Sequence, residues 1–447
     1  MMSLFVTSIR KMQSIGLETL WVILGNIASV VGSLLSVRLV TEFIAPDEYG
    51  KLALSLTIVG LSNQTITGGL IASVNRHWSI AHDLKAIPAY VSASKRLFAK
   101  ASAFTFGLAL IALIALAALQ RSELILILIP SVIFSVTSGF NSALTGVQNA
   151  ARQRSLVAGL TIMDTILKMA LIAIVGVLGA STSTAILWCY CATSCAMAGL
   201  QWQALTRRLP PDPISPATSE QDVQEWAHRL WLYAWPFSTW GIFTWAQMAS
   251  DRWALQAYTS SAEVGTYAVV YQLGYAPILL ASGLLTTLLG PILFQQAGDA
   301  TDPERNKTVS RMTWTLVGTI IAGSLIGATV ATFAGDWLFS LLVAANYRDA
   351  ARFLPPMVAS SGFFAAGQAL SLKTYSDMTV RSTIPIKIGT AILGVGLNLW
   401  LAEQYGLPGI VWASLLFSLS YFCGMAGLVF RTPQHPRPSP NRVDNRV

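Results

Sequence analysis

Arg38–Leu54 reads RLVTEFIAPDEYGKLAL, and Arg252–Val269 reads RWALQAYTSSAEVGTYAV. In both, an Arg stands at the end of an apolar run, a polar break follows, and an acid–bulky–Gly triplet opens the next run. The triplets are Glu48-Tyr49-Gly50 and Glu263-Val264-Gly265. The copies lie about half the chain apart. A second echo lies at a similar separation: Met197-Ala198-Gly199-Leu200 and Met425-Ala426-Gly427-Leu428 each close a late apolar run. The chain therefore reads as two related lobes.

The composition fixes the class. Of 447 residues, 53% are hydrophobic and only 11% charged, and the mean hydropathy is +0.56. A soluble domain carries about a quarter charged residues. Apolar runs of about 20 residues recur throughout, which is the length needed to cross a bilayer as a helix. The expected fold is an all-α polytopic membrane protein with about twelve transmembrane helices. The spans are placed at 17–40, 50–73, 101–119, 124–147, 156–179, 183–206, 230–253, 265–290, 312–333, 351–373, 384–402 and 407–430. Arg10 and Lys11 precede a first run long enough to span, with no small-residue cleavage site, so the N-terminus does not read as a cleaved leader.

The expected organisation is an N-terminal six-helix lobe (1–206), a linker (207–229), a C-terminal six-helix lobe (230–430) and a Pro-rich tail (431–447). Pro88–Lys100 reads as a basic amphipathic helix on the membrane surface. Ser219–Gln224 reads as a cap leading into span seven. Asp336–Ala345 reads as an interfacial turn. Pro277 and Pro355-Pro356 should bend their helices.

Basic residues alternate between connections. One set holds Arg76, Lys85, Lys95, Arg96, Lys100, Arg152, Arg154, Arg207, Arg208, Arg229, Arg305, Lys307, Arg311, Lys373, Arg381 and Lys387, with the N-tail and C-tail. The opposite set holds only Lys51, Arg121, Arg348 and Arg352. The positive-inside rule then puts both termini in the cytoplasm. It also accounts for the net charge of +8 as a rim beside anionic headgroups, so no nucleic-acid partner is needed.

Charges inside spans are costly and mark function. Asp164 and Lys168 lie near the middle of span five at i,i+4, on one helical face with Thr161 and Thr165 beside them. They read as an ion-linked pair in a hydrated cavity, with Lys168 able to attract an anionic cargo; the plainer reading is a self-neutralising packing pair. Arg38 and Arg252 occupy matching places in the two lobes. They suit bidentate phosphate binding, or equally snorkelling to headgroups. Asp251 adjoins Arg252 and is a second candidate for ion coupling. The stripe Ser138, Asn141, Thr145, Gln148 suits a cavity lining, so Asn141 and Gln148 are candidate substrate contacts. Tyr267, Tyr271 and Tyr275 form a stripe on which sugar rings could stack, with Tyr271 the candidate substrate contact; interfacial packing explains it as well.

Enzyme signals are missing from the sequence. It has no Walker lysine loop and no Gly-x-Ser-x-Gly, and its histidines (His77, His82, His228, His435) are scattered. Cys189, Cys191, Cys195 and Cys423 lie in apolar runs and read as packed thiols. Neither a metal nor another cofactor is expected.

Arg38 with Pro46-Asp47-Glu48-Tyr49-Gly50, then Gly68-Gly69-Leu70 and Arg76, resembles the opening of the polysaccharide-exporter branch of the MOP superfamily, the Wzx-type O-antigen flippases. Asp251-Arg252, Leu255, Val264-Gly265-Tyr267-Ala268 and Tyr271 resemble the segment opening that family's second lobe, and Gly406-Leu407-Pro408-Gly409 also fits. The resemblance implies two six-helix bundles forming a V around a central cavity in a bacterial inner membrane. It implies alternating-access movement of an undecaprenyl-pyrophosphate-linked oligosaccharide, an O-antigen or exopolysaccharide repeat unit, between leaflets. The partners it implies are that lipid-linked oligosaccharide, membrane lipids, H+ or Na+ for coupling, and polysaccharide polymerase and chain-length proteins. Two rivals are a MATE-type cation-coupled drug antiporter, for which Asp164 is the acidic site, and a polytopic glycan-processing enzyme.

Overall fold

The fold is all-α. A computed structural model describes residues 2–120, 122–151, 153–208, 219–297, 302–377 and 379–431. The chain runs through α1 (Met2–Phe43), α2 (Pro46–Ser62), α3 (Gly68–Asp83), α4 (Ile87–Ala118), α5 (Ser122–Ala150), α6 (Arg154–Val177) and α7 (Ser183–Arg208). It continues through α8 (Glu220–Tyr258), α9 (Ser261–Val270), α10 (Ala276–Ala297), α11 (Pro303–Leu342), α12 (Leu354–Ser376), α13 (Ile384–Tyr405) and α14 (Leu407–Arg431). Among the described residues, nine helices are long and apolar enough to cross a membrane. Helices suit such sequences because each satisfies its own backbone polar groups where no water is present.

Several local choices are visible in the sequence. Pro46 sits at the start of α2 with Asp47 and Glu48 in its first turn, where proline lacks nothing and acids meet the positive helix end. Ser219 and Asp222 form a capping box for α8, the Asp222 amide donating to the Ser219 hydroxyl at 3.1 Å. Gly406 ends α13 at φ +60°, a conformation glycine adopts without a Cβ penalty.

Other features correct the sequence reading. Pro88–Lys100 is no separate surface helix; it is the first part of the unbroken α4, since no breaker separates Lys100 from the apolar run. Asp336–Leu342 is the end of α11 rather than a turn. Pro355-Pro356 occupy the first turn of α12, so they start that helix instead of bending it. Pro277 follows a π-helical segment, Tyr271–Tyr275. A second π segment, Asn63–Thr67, joins α2 to α3. Of the linker, Arg207 and Arg208 continue α7 and Ser219 caps α8, while 209–218 lie outside the described residues. Arg431 closes α14; the tail 432–447, Arg121 and Arg152 also lie outside them.

Two compact units form. The first holds Met1–Val269 and Phe339–Asp349; the second holds Val270–Leu338 and Ala350–Val447. In the first, α1 lies against α6, and a Cβ on Gly32 would stand 2.2 Å from the Thr165 methyl. Such close approach through a small residue is how helices associate when both faces are apolar. The α5–α7 seam is tied by polar side chains. Asn141 donates to the Ser194 carbonyl at 2.9 Å, Thr145 to Gln201 at 3.2 Å and Gln148 to the Gln201 carbonyl at 3.4 Å. A third seam runs between α2, α3 and α8, α9. There a Cβ on Gly69 would meet the Ala234 carbonyl oxygen at 2.2 Å, and one on Gly241 the Gln64 oxygen at 2.1 Å. The echo glycines meet each other: a Cβ on Gly50 would stand 1.8 Å from the Ser261 oxygen, and one on Gly265 2.0 Å from the Pro46 oxygen. The Trp245 and Trp253 indoles donate to the Thr57 carbonyl and hydroxyl at 2.7 and 2.9 Å.

Glu48 fastens α2 to α7. Its Oε2 accepts from the Ser183 amide at 2.7 Å and the Ser183 hydroxyl at 2.8 Å, while Lys51 donates to Oε1 at 2.9 Å. Burial pushes the Glu48 carboxyl up, but the Ser183 donors and Lys51 together outweigh it and hold the group below its ordinary 4.5. A depressed folded value contributes stability that is full above the unfolded value and lost as pH falls through the folded one. Glu48→Gln is therefore expected to lower the melting temperature at pH 7, by the equivalent of about 1 kcal/mol. The gap to wild type should close as a thermal-shift series is taken below pH 4.5; a gap independent of pH would contradict the ionic fastening.

In the second unit α12 packs on α10 and α14. Ser361 donates to the Tyr275 carbonyl at 2.7 Å and Ser360 to the Ser414 carbonyl at 2.8 Å, so buried hydroxyls are spent on backbone oxygens rather than left unpaired.

Candidate substrate-binding site

The Asp164–Lys168 pair forms as its spacing requires. Lys168 Nζ lies 3.0 Å from Asp164 Oδ2, and the side chains keep 26% and 34% exposure. That partial exposure matters, because a sealed pair would serve packing alone. The ammonium also lies 5.5 Å from the centre of the Tyr190 ring of α7, and Tyr190 packs on Phe134 at 5.6 Å. An ammonium has three donors. One is committed to Asp164 and one direction faces the ring, which leaves donor capacity for an anionic oxygen.

Tyr49 belongs to the same neighbourhood. Tyr49 and Tyr190 pack against the same buried apolar cluster, and the Tyr49 ring meets that of Tyr347 edge-on at 6.0 Å. The Tyr347 hydroxyl donates to the Ile44 carbonyl at 3.0 Å. Nothing in the local pattern of the sequence marks Tyr190 or Tyr347; they are brought in by folding across more than a hundred residues.

Asp251 and Arg252 form the second ionic group. Tyr267 donates to Asp251 Oδ2 at 2.6 Å, and the Arg252 amide to Asp251 Oδ1 at 2.7 Å. The Arg252 guanidinium approaches Asp251 at 3.5 Å, donates to the Met248 carbonyl at 3.2 Å and lies 5.9 Å from the Tyr267 ring centre. Both charges are largely covered. Asp251 thus serves Arg252 and Tyr267 together, and Tyr267 acts through its hydroxyl here rather than as a stacking platform.

The remaining candidates have other partners. Arg38 pairs with Glu42 one turn on, at 2.9 Å, and its Nη1 is buried with no hydrogen-bond partner among the described residues. Asn141 and Gln148, expected to line a cavity, sit instead in the α5–α7 seam, where Gln148 is fully buried. Small polar residues at i,i+3 and i,i+4 read the same from sequence whether they face water or another helix. Tyr271 belongs to the second unit, in the π segment, stacked on Tyr275 at 4.8 Å. The structure thus pairs Asp164 with Lys168 and Asp251 with Arg252, while Arg38 pairs with Glu42 and Asn141 and Gln148 are used in the α5–α7 seam.

The second unit contains an ion pair that sequence reasoning passed over. Lys373 and Asp377 pair at i,i+4 near the end of α12, at 11% and 17% side-chain exposure, and Lys387 donates to Tyr375 at 3.2 Å. The i,i+4 signal was available, as for Asp164 and Lys168, but Lys373 counted as a loop residue. No cluster of three His, Cys, Asp or Glu side chains suited to a metal occurs among the described residues.

No protein-family model matches the chain, and no curated protein matches it. Solved structures do. One is titled as lipid II flippase MurJ in an inward closed conformation: TM-score 0.70, 10% identity, covering 93% of this chain and 88% of that one. Another is an inward-facing multidrug resistance MATE family transporter of the MOP superfamily, at TM-score 0.64 and 11% identity, covering 92% and 96%. A third is a MOP superfamily transporter from Pyrococcus furiosus whose title reports reversed polarity of the binding pocket, at TM-score 0.59 and 14% identity, covering 93% and 96%. At these identities the likeness is one of fold alone, the fold these solved structures share.

Proposed function

We propose that this chain is a flippase that moves an anionic, lipid-linked oligosaccharide across a bacterial inner membrane by alternating access. The observation that carries this reading is the half-open Lys168–Asp164 pair inside an apolar bundle. A cation kept there at a cost is best explained by a charged cargo, and pyrophosphate supplies the complementary charge. Arg38 and Arg252 serve as further cationic contacts, and Tyr271 as a sugar contact. Asp164 and Asp251 take part in coupling to H+ or Na+. The fold shared with a lipid II flippase supports the transport class, and the positive-inside pattern supports cytoplasmic termini. The repeat-unit motifs around Gly50 and Gly265 support the polysaccharide branch, with a polymerase and chain-length proteins acting on the product. The fold's solved examples are transporters and flippases, which weighs against a glycan-processing enzyme.

The test is the leaflet of the cargo. Cells lacking the protein should accumulate complete lipid-linked oligosaccharide that a membrane-impermeant reagent cannot reach, and restoring the gene should clear it. Unchanged glycan traffic would remove this reading.

A MATE-type antiporter is the second reading, favoured by one observation: Asp164 remains a third exposed although paired. It predicts that Asp164→Asn abolishes drug efflux in a dye-accumulation assay, while glycan traffic is unaffected.

A further inference from the structure

Besides the ionic pairs, the first unit contains a cavity of about 540 Å³ between α3, α4 and α8. Its walls are mostly apolar, with Leu70, Leu97, Phe104 and Trp231 among them, and Lys100 and His228 also line it. It shares no residue with the Asp164–Lys168 or Asp251–Arg252 groups. We propose that this groove holds one anionic phospholipid, its phosphate on Lys100 and His228 and an acyl chain along the apolar walls.

The neighbouring charges are already engaged, and this singles out Lys100. Arg96, one turn earlier on α4, forms a two-pronged pair with Glu220 at the start of α8, with Nη2 to Oε2 at 2.7 Å. Lys95 lies over the Trp202 ring at 4.5 Å. Arg229 pairs with Glu225 at 3.0 Å. Asp222 is used in the cap of α8. Lys100 and His228 have no ion-pair or hydrogen-bond partner among the described residues. Two exposed basic side chains therefore line one cavity, on helices that the Arg96–Glu220 pair ties together.

The lower part of the groove selects a lipid over a soluble anion. Beyond Lys100, α4 presents Phe104, Phe106, Leu108 and Leu110, all well exposed, so the groove opens beside helix surface suited to hydrocarbon. Trp231 is half exposed at its side, an aromatic of the kind that settles at the headgroup boundary. The volume falls in the range of about 300–1,000 Å³ that ligand sites occupy. Basic groups near a membrane surface attract anionic lipids, and by the positive-inside reading this is the leaflet rich in them. The site does not rest on the identity of the cargo, so its test is independent of transport.

The experiment is native mass spectrometry of the purified full chain, titrated with phosphatidylglycerol, phosphatidylcholine or glycerol phosphate. Wild type should retain one phosphatidylglycerol, with weaker retention of phosphatidylcholine and none of glycerol phosphate. Lys100→Glu and His228→Glu, both at exposed positions, should each weaken phosphatidylglycerol retention about five- to tenfold. Ala227→Trp, which fills the groove, should remove it while the melting temperature stays near wild type. Arg311→Glu makes the same charge change outside the groove and should leave retention unchanged. Equal loss with Arg311→Glu, equal retention of phosphatidylcholine, or retention of glycerol phosphate alone would each overturn the proposal.

Discussion

Lys168→Met is expected to cut export about ten- to a hundredfold while the protein still inserts. A charge-assisted hydrogen bond to an anion is worth about 1.5–3 kcal/mol, which corresponds to that range of affinity. The single variant also strands Asp164, which loses its partner at 3.0 Å, so some loss of stability accompanies it. The double variant Asp164→Asn with Lys168→Met separates the two effects. Removing both charges should bring thermal stability back to near wild type, because two neutral groups no longer need each other. Export should stay low, because the cation is still missing. The measurement is lipid-linked oligosaccharide in each leaflet, set beside a melting curve in detergent. Normal export by the double variant would reduce the pair to a packing device and end its role in the proposed mechanism.

Gly50→Ala is the second large effect, on stability. The added Cβ would stand 1.8 Å from the Ser261 carbonyl oxygen and 2.7 Å from its carbon. Those atoms are backbone, so no side chain can swing aside; α2 and α9 must move apart. Overpacking of this kind costs about 1–3 kcal/mol, sometimes more, and a melting temperature lowered by roughly 5 °C or more is expected. Gly265→Ala should act alike from the opposite side, against the Pro46 oxygen at 2.0 Å. Gly107→Ala and Gly318→Ala, where nothing lies within 4 Å, serve as controls and should be neutral. Equal melting temperatures across all four would mean that the seam is loose in the membrane.

The helices were largely legible from hydropathy, since nearly every expected apolar run lies inside one helix or inside two joined through a π segment, although 50–73, 230–253 and 351–373 are not among the nine described helices apolar enough to cross. Their ends were not. Ser219–Gln224 was readable as a cap leading into span seven; what was not readable is that one unbroken helix runs from Glu220 through the polar stretch to Tyr258. Pro236 is carried within α8, while Pro355 merely starts α12; the residue type is the same and only its position along the helix differs. The triplet echo revealed that Gly50 and Gly265 correspond. It held no sign that they touch, since contact between repeats depends on how α2 and α9 cross. At the candidate site the Asp164–Lys168 pair was readable from i,i+4 spacing alone. Tyr49, Tyr190 and Tyr347 were not, because they are neighbours only through tertiary packing. Asn141 and Gln148 show the opposite failure, where the right residue type on a helix face gives no clue to what that face meets.

The unbroken course of α8 has a mechanical consequence. Its 39 residues make a rod of roughly 58 Å at the usual rise per residue, against a hydrocarbon layer of about 30 Å. Pro236 lies inside it, where helices tend to bend; moved as one piece, the helix would work as a lever. A tilt of about 10° about its middle would swing each end by about 5 Å, one end carrying Glu220 and the other Asp251 and Arg252. Anything that grips the polar end from the water side can therefore pull on the buried charges without entering the bilayer.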